Sequence, residues 1–92
     1  MAKLMDAREQ TVKLQAGDFL VWHKQNGQIS LSRGSIVICF SYGSRSNDNK
    51  VDVGGLNDLQ VFGLIALIAA THGMEIKLAC DNDHAMIYQL VQ

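Results

Sequence analysis

The sequence has little of several things that would assign a protein class at once. Only 18% of its 92 residues are charged, and eight Lys and Arg face nine Asp and Glu for a formal net charge of -1. With a pI near 6.2 and basic residues scattered singly, there is no positive field to hold nucleic acid. Two cysteines are present, Cys39 and Cys80, without the CxxC or Cys/His spacing of a metal site. Each falls in or at the end of an expected strand, where a free thiol serves as a small buried hydrophobe; a disulfide is the alternative. No apolar run is long enough to span a bilayer, so no membrane partner is expected. The first ten residues, MAKLMDAREQ, carry acidic side chains where a signal peptide needs an apolar core, which fits a cytoplasmic protein. No internal repeat or low-complexity segment is visible. The length suffices for one domain over residues 1–92, with 1–10 a flexible or extra N-terminal segment.

What the chain does have is a greasy span that organises the rest, NDLQVFGLIALIAATHG from Asn57 to Gly73. Asn57 and Gln60 stand at the spacing of an N-cap and its N3 partner, so a helix starts there. Leu, Ile and Ala carry it to Ala70, and Gly63 is its one weak position. His72 in the last turn suits the helix dipole, and Gly73 supplies a left-handed C′ residue. No wide polar face exists, so Val61, Phe62, Leu64, Ile65, Leu67 and Ile68 need cover on more than one side.

Elsewhere the pattern is mixed. Asp6 to Leu14 reads as a short helix or as the approach to a strand at Thr11 to Leu14. Asp18 can cap a helix holding Phe19, Leu20 and Trp22 and ending at Asn26-Gly27, while FLVW serves equally well as a strand. Ser32-Arg33-Gly34 marks a turn. Ser35 to Tyr42, SIVICFSY, is β-branched and aromatic and predicts a strand, with Lys50 to Val53 its hairpin return after the polar cluster Gly43 to Asn49. Gly54-Gly55 turns the chain into the helix without a GxGxxG or GK[ST] phosphate pattern. MEIKLAC predicts a half-buried strand with Met74, Ile76, Leu78 and Cys80 on the core face. Asp81-Asn82-Asp83 then offers a cap for a last helix, HAMIYQLVQ, with Ala85, Met86 and Leu90 on its apolar stripe. This α+β order lays helices over one face of a mostly antiparallel sheet, and it gives the central helix cover from both the sheet and the last helix.

Gly63 to Val91, GLIALIAATHGMEIKLACDNDHAMIYQLV, resembles the second half of HPr, the small histidine phosphocarrier of the bacterial sugar phosphotransferase system. Gly63, Leu64, Leu67, Ala69, Gly73, Glu75, Ile76 and Ala85 fall in step with that family's helix, Gly stop, strand and final helix. Ser35 to Tyr42 and Val51 to Val53 match its central hairpin, with a few extra residues around Gly54 to Asn57. The resemblance implies an open-faced sandwich of order β-α-β-β-α-β-α, with helices on one face of a mostly antiparallel four-stranded sheet. Carriers of this family take phosphate from enzyme I on a histidine in a G-L-H-A-R-P motif, and this chain has no such motif. The family's spacing places Asp18 there, in QAGDFLV, and places Gln60 at the regulatory serine position. Val61 and Phe62 preserve the apolar pair of the surface that docks enzyme I and other partners. The resemblance thus implies a non-catalytic regulatory or adaptor domain, not an enzyme, that acts by protein–protein contact and is not phosphorylated at the usual His or Ser.

Two alternatives stand beside this. If the chain before the hairpin is about five residues shorter than the family's, the resemblance makes His23 in VWHKQNG, with Lys24 beside it, a candidate phosphoryl acceptor for a working carrier, and Asp18 is a weaker one. An unrelated small α+β domain that self-associates as a homo-oligomer through its apolar helix is the other. His72 and His84 have no ligand neighbour at metal spacing, and Asp81 with Asp83 falls short of a calcium loop, so neither metal nor cofactor is expected.

Overall fold

Leu20 and Trp22 alternate with Phe19, Val21 and His23 at the two-residue period of a strand, and Asn26-Gly27 comes next with turn chemistry. The computed structural model, which describes residues 13–38, 46–47 and 50–92, resolves the open alternative this way. β1 (Phe19–His23) and β2 (Gln28–Arg33) form an antiparallel hairpin. Its turn needs Gly27 at a φ of 65°, where the Gly27 amide donates to the His23 carbonyl at 2.9 Å. β3 (Ile36–Ile38), β4 (Ser46–Asn47) and β5 (Lys50–Asp52) come next, then the helix α1 (Asp58–Thr71), β6 (Glu75–Asp81) and β7 (Ala85–Val91). The strands make one sheet in the order β4-β5-β2-β1-β7-β6, with β3 also on β2, and every described pairing is antiparallel.

The order differs from β-α-β-β-α-β-α at three places. No helix succeeds β1, because the apolar residues there alternate. Among the described residues the expected hairpin between Ser35–Tyr42 and Lys50–Val53 does not form: β5 pairs with β2 over Gln28–Ser30, and β3 pairs with the same edge of β2 over Leu31–Arg33. Cys39 to Tyr42 lie outside the described residues, as do Gly43 to Arg45, Asp48, Asn49 and residues 1–12. Third, HAMIYQLVQ is a strand. Met86, Tyr88 and Leu90 turn to the core while Ala85, Ile87, Gln89 and Val91 face away, and the chain gains ladders with both β1 and β6. Asn82 does use its side chain as a cap does, accepting from the His84 and Ala85 amides at 2.8 and 2.9 Å, but the turn it stabilises leads into a strand and closes a hairpin. In place of the four-stranded, three-helix sandwich, the described residues form one helix on a seven-stranded sheet.

α1 itself begins and ends as its sequence dictates. The Gln60 amide donates to Asn57 Oδ1 at 2.8 Å and the Asn57 amide to Gln60 Oε1 at 3.0 Å, a complete capping box. At the other end Gly73 has φ 72°, with its amide on the Ala70 carbonyl and the Met74 amide on that of Ala69, both at 3.0 Å. This is the two-bond Schellman closure, with Met74 and Ala69 both buried beside it. Val61, Ile65, Ile68 and Ala69 enter a core with Leu20, Ile29, Leu31, Val51 and Leu90 from the sheet. At 14 residues, α1 is too short to cross a membrane, and among the described residues no helix is long and apolar enough to do so.

β6 is an edge strand, and it is less buried than expected. Its pairing slips between Leu78 and Cys80, so Ala79 is an extra residue and Cys80 comes opposite Ile87 instead of a core residue. Cys80 is therefore a free, exposed thiol, contrary to the buried one expected. Replacing Asn57 by Ala should cost about 1 kcal/mol of stability. Replacing the fully buried Ile65 by Ala should cost about 2–5 kcal/mol. Urea unfolding of the two variants should give that order.

Candidate functional site

The apolar pair expected at the helix start splits across the helix. Val61 is fully buried in the core, whereas Phe62, one residue on, is 45% exposed. Gln60 is exposed and engaged in the capping box. The Phe62 ring packs against Tyr88 with centroids 5.9 Å apart and planes inclined at 59°.

This contact is one wall of a cleft of about 380 Å³ between the first half of α1 and the ends of β1, β7 and β6. Trp22, Ile65 and Tyr88 are its buried residues, Leu59 and Phe62 form an exposed lip, and Met86 receives the Tyr88 hydroxyl at 3.4 Å. Lys24, Asp58 and Asp81 supply its charge. Lys24 Nζ donates to Asp81 Oδ1 at 2.8 Å and to the Asn82 carbonyl at 2.7 Å, and lies 5.9 Å from the Trp22 ring centroid. The Asp81 hydrogen bond raises the Lys24 pKa against the opposing effect of burial, and the charges of Asp81, Asp58 and Asp83 add to it. Burial and the Asp81 charge push the Tyr88 phenol up as well. Sequence reasoning left Trp22 undecided and missed this cluster, because Lys24 and Asp81 meet only through the pairing of β1, β7 and β6.

The two phosphoryl-acceptor candidates lie elsewhere and apart. Asp18 precedes β1, opposite the end of β2, and is 2% exposed. Its carboxylate accepts from Arg33 Nε at 2.8 Å, Arg33 Nη2 at 2.9 Å and the Gln15 amide at 2.9 Å. Burial raises its pKa, but the bonds from Arg33 and Gln15 and the Arg33 charge outweigh this and hold it below the usual carboxylate value. The geometry is that of a structural ion pair that fastens residues 13–18 to β2, since Arg33 Nη2 also donates to the Lys13 carbonyl.

His23 occupies the sheet face away from α1. Its Nε2 lies 2.9 Å from Ser30 Oγ, and a depression of about 460 Å³ beside it also touches Asn26, Ser32 and Lys50. Burial, then the Lys50 charge, lowers its pKa. His23 stands in the middle of a sheet, not at a helix N-terminus, so no ring of amides is directed at it. His84 lies in the β6–β7 turn with Gln25 Nε2 3.3 Å from its Nδ1. Among the described residues no three His, Cys, Asp or Glu side chains converge on a metal position.

No protein-family model matches the chain, and no curated protein or solved structure matches it significantly.

Each of the two perturbed groups yields a pH dependence. A lowered Asp18 pKa means that its stabilisation is full above the unfolded value of about 3.9 and is lost as pH falls through the folded value. Asp18→Asn should therefore lower the melting temperature at neutral pH and approach the parent's in acid. For His23 the folded state favours the neutral ring, so its contribution is full above about pH 6.5 and declines as the pH drops below that. Thermal melts should show the decline, His23→Gln should remove it, and NMR of the imidazole should place its titration below the free value.

Proposed function

We propose that this chain is a non-catalytic protein-interaction domain that pairs two copies through the outer face of α1. The observation that carries the reading is that the helix is apolar nearly all round, while among the described residues the sheet covers it on one side only. From Leu59 to Thr71 it has no charged residue. Leu59 and Leu67 are 78% and 51% exposed, Gly63 and Ala70 are exposed, and Ala66 is half-buried. Leu78 on β6, opposite Tyr88, is also 49% exposed. A monomer seldom leaves a contiguous apolar surface of this kind in water.

The pattern is self-complementary. Leu59 and Leu67 lie four residues either side of Gly63, so a two-fold axis through Gly63 sets each Leu59 against Leu67 of the second copy. A methyl group placed on Gly63 would meet no atom within 4 Å, so the fold of one copy does not require glycine there. An interior helical glycine nonetheless costs about 1 kcal/mol relative to Ala, and close approach of a second helix gives that cost a purpose. The exposed fractions of Leu59, Phe62, Leu67 and Leu78 amount to somewhat over two whole side chains, on the order of 400 Å² per copy. With the small residues between them, pairing removes roughly 1,000 Å² in total, the lower bound of a specific interface, so a reversible dimer is expected.

This reading retains an adaptor-type role by protein–protein contact and dispenses with phosphoryl transfer. Sedimentation velocity across a concentration series tests it. The parent chain should pass from monomer to dimer, and Leu67→Glu should stay monomeric with an unchanged circular-dichroism spectrum. Gly63→Ala should stabilise the dilute monomer by up to about 1 kcal/mol and yet weaken pairing. A parent that stays monomeric throughout, or a Leu67→Glu variant that still pairs, contradicts it.

A further inference from the structure

We infer that the cleft at the start of α1 binds an organic cation with an apolar body, such as an alkylammonium on an aromatic or aliphatic frame. The space is preformed, about 380 Å³, and three aromatic rings, Trp22, Phe62 and Tyr88, line it. Rings attract cations through their negative faces, and clefts built from several of them take ammonium groups that carry methyl or methylene substituents. The charge at the mouth has the same sense. Asp58 and Asp81 line the cleft against the single ammonium of Lys24, and the field of Asp83 reaches that ammonium too.

Lys24 shows how a cation is received there. Its ammonium stands 5.9 Å from the Trp22 ring centroid and donates to Asp81 and the Asn82 carbonyl. Asp58, in the first turn of α1, makes no hydrogen bond or ion pair among the described residues, so one carboxylate at the mouth is left for a ligand. An anionic ligand would meet Asp58 and Asp81 and would have to take Lys24 from its partners. A neutral one would use the rings and leave Asp58 unanswered.

The test compares three probes with one aromatic body on the full chain: benzyltrimethylammonium, benzyl alcohol and phenylacetate. Binding is read from the fluorescence of Trp22, the only tryptophan. The cation should bind between about twofold and thirtyfold more tightly than the alcohol, and phenylacetate most weakly. Lys24→Met, which removes the resident ammonium, should tighten the cation, and Asp58→Asn should loosen it. Asp58→Asn is an exposed substitution that spares the Lys24–Asp81 bond, so it decides the question even if Lys24→Met unfolds. Leu67→Glu lies outside the cleft and, at dilutions where the parent is monomeric, should leave cation binding unchanged, so failure of pairing and failure of this site are separable. Phenylacetate binding most tightly, equal binding of all three probes, no response to any, or Asp58→Asn without effect would each overturn the inference.

Discussion

Ala85–Val91 is hydrogen-bonded along both edges, to Phe19–His23 on one side and Glu75–Asp81 on the other, and this double pairing decides what else the chain can do. A helix at these seven residues would leave β1 with one free edge and β6 with no partner. As a strand, the segment joins β6 to the rest of the sheet and turns Tyr88 and Leu90 into the core. The same choice removes the last helix that the sequence suggested beside α1. One layer of sheet then covers Val61, Ile65, Ile68 and Ala69, and on the opposite side of α1 Leu59 and Leu67 are exposed.

The two sides of the sheet consequently differ in kind. Toward α1 the interior is apolar, and its charged features stand at the margins: the Asp18–Arg33 pair at one end, and Lys24 with Asp81 at the other. Away from α1 the sheet carries His23, Ser30 and Lys50 among Val21 and Val37. Charge serves to hold the ends of strands together, by pairs that lie far apart in the sequence. That leaves the helix surface beyond its first residue without charge, which suits an apolar partner, while Asp58 and Asp81 lie at the mouth of one aromatic cleft.

How much of this the sequence discloses depends on the range of the interaction. The limits of α1 come from contacts within one turn, Asn57 with Gln60 and Gly73 with Ala70, and are legible in the sequence alone. The alternation in FLVWH is legible too, though Asp18 in front of it mimics a helix cap; its carboxylate belongs to Arg33 instead. HAMIYQLVQ misleads for the same reason. Asn82 makes the bonds of a cap, and Ala85, Met86 and Leu90 suit a helical stripe as well as Met86, Tyr88 and Leu90 suit a strand. The neighbours on either side, β1 and β6, choose between them, and no local rule contains them. The resemblance to phosphocarriers leaned on that last helix, so the order of elements it implied does not survive. Among the residues proposed for a site, Phe62 was found from the apolar pair, while Trp22, Lys24 and Asp81 needed the register of three strands.

Backbone NMR of residues 84–92 tests the central claim most directly, because the bare side of α1 exists only if Ala85–Val91 is extended. Asp18–Leu90 and Lys24–His84 are hydrogen-bonded positions, which makes Val21 and Ile87 a close, non-bonded pair in the antiparallel ladder. The α-protons of Val21 and Ile87 should show a strong cross-strand contact, with extended-type shifts from Ala85 to Val91. Helical shifts there, with contacts between residues three apart and none to Val21, would contradict it.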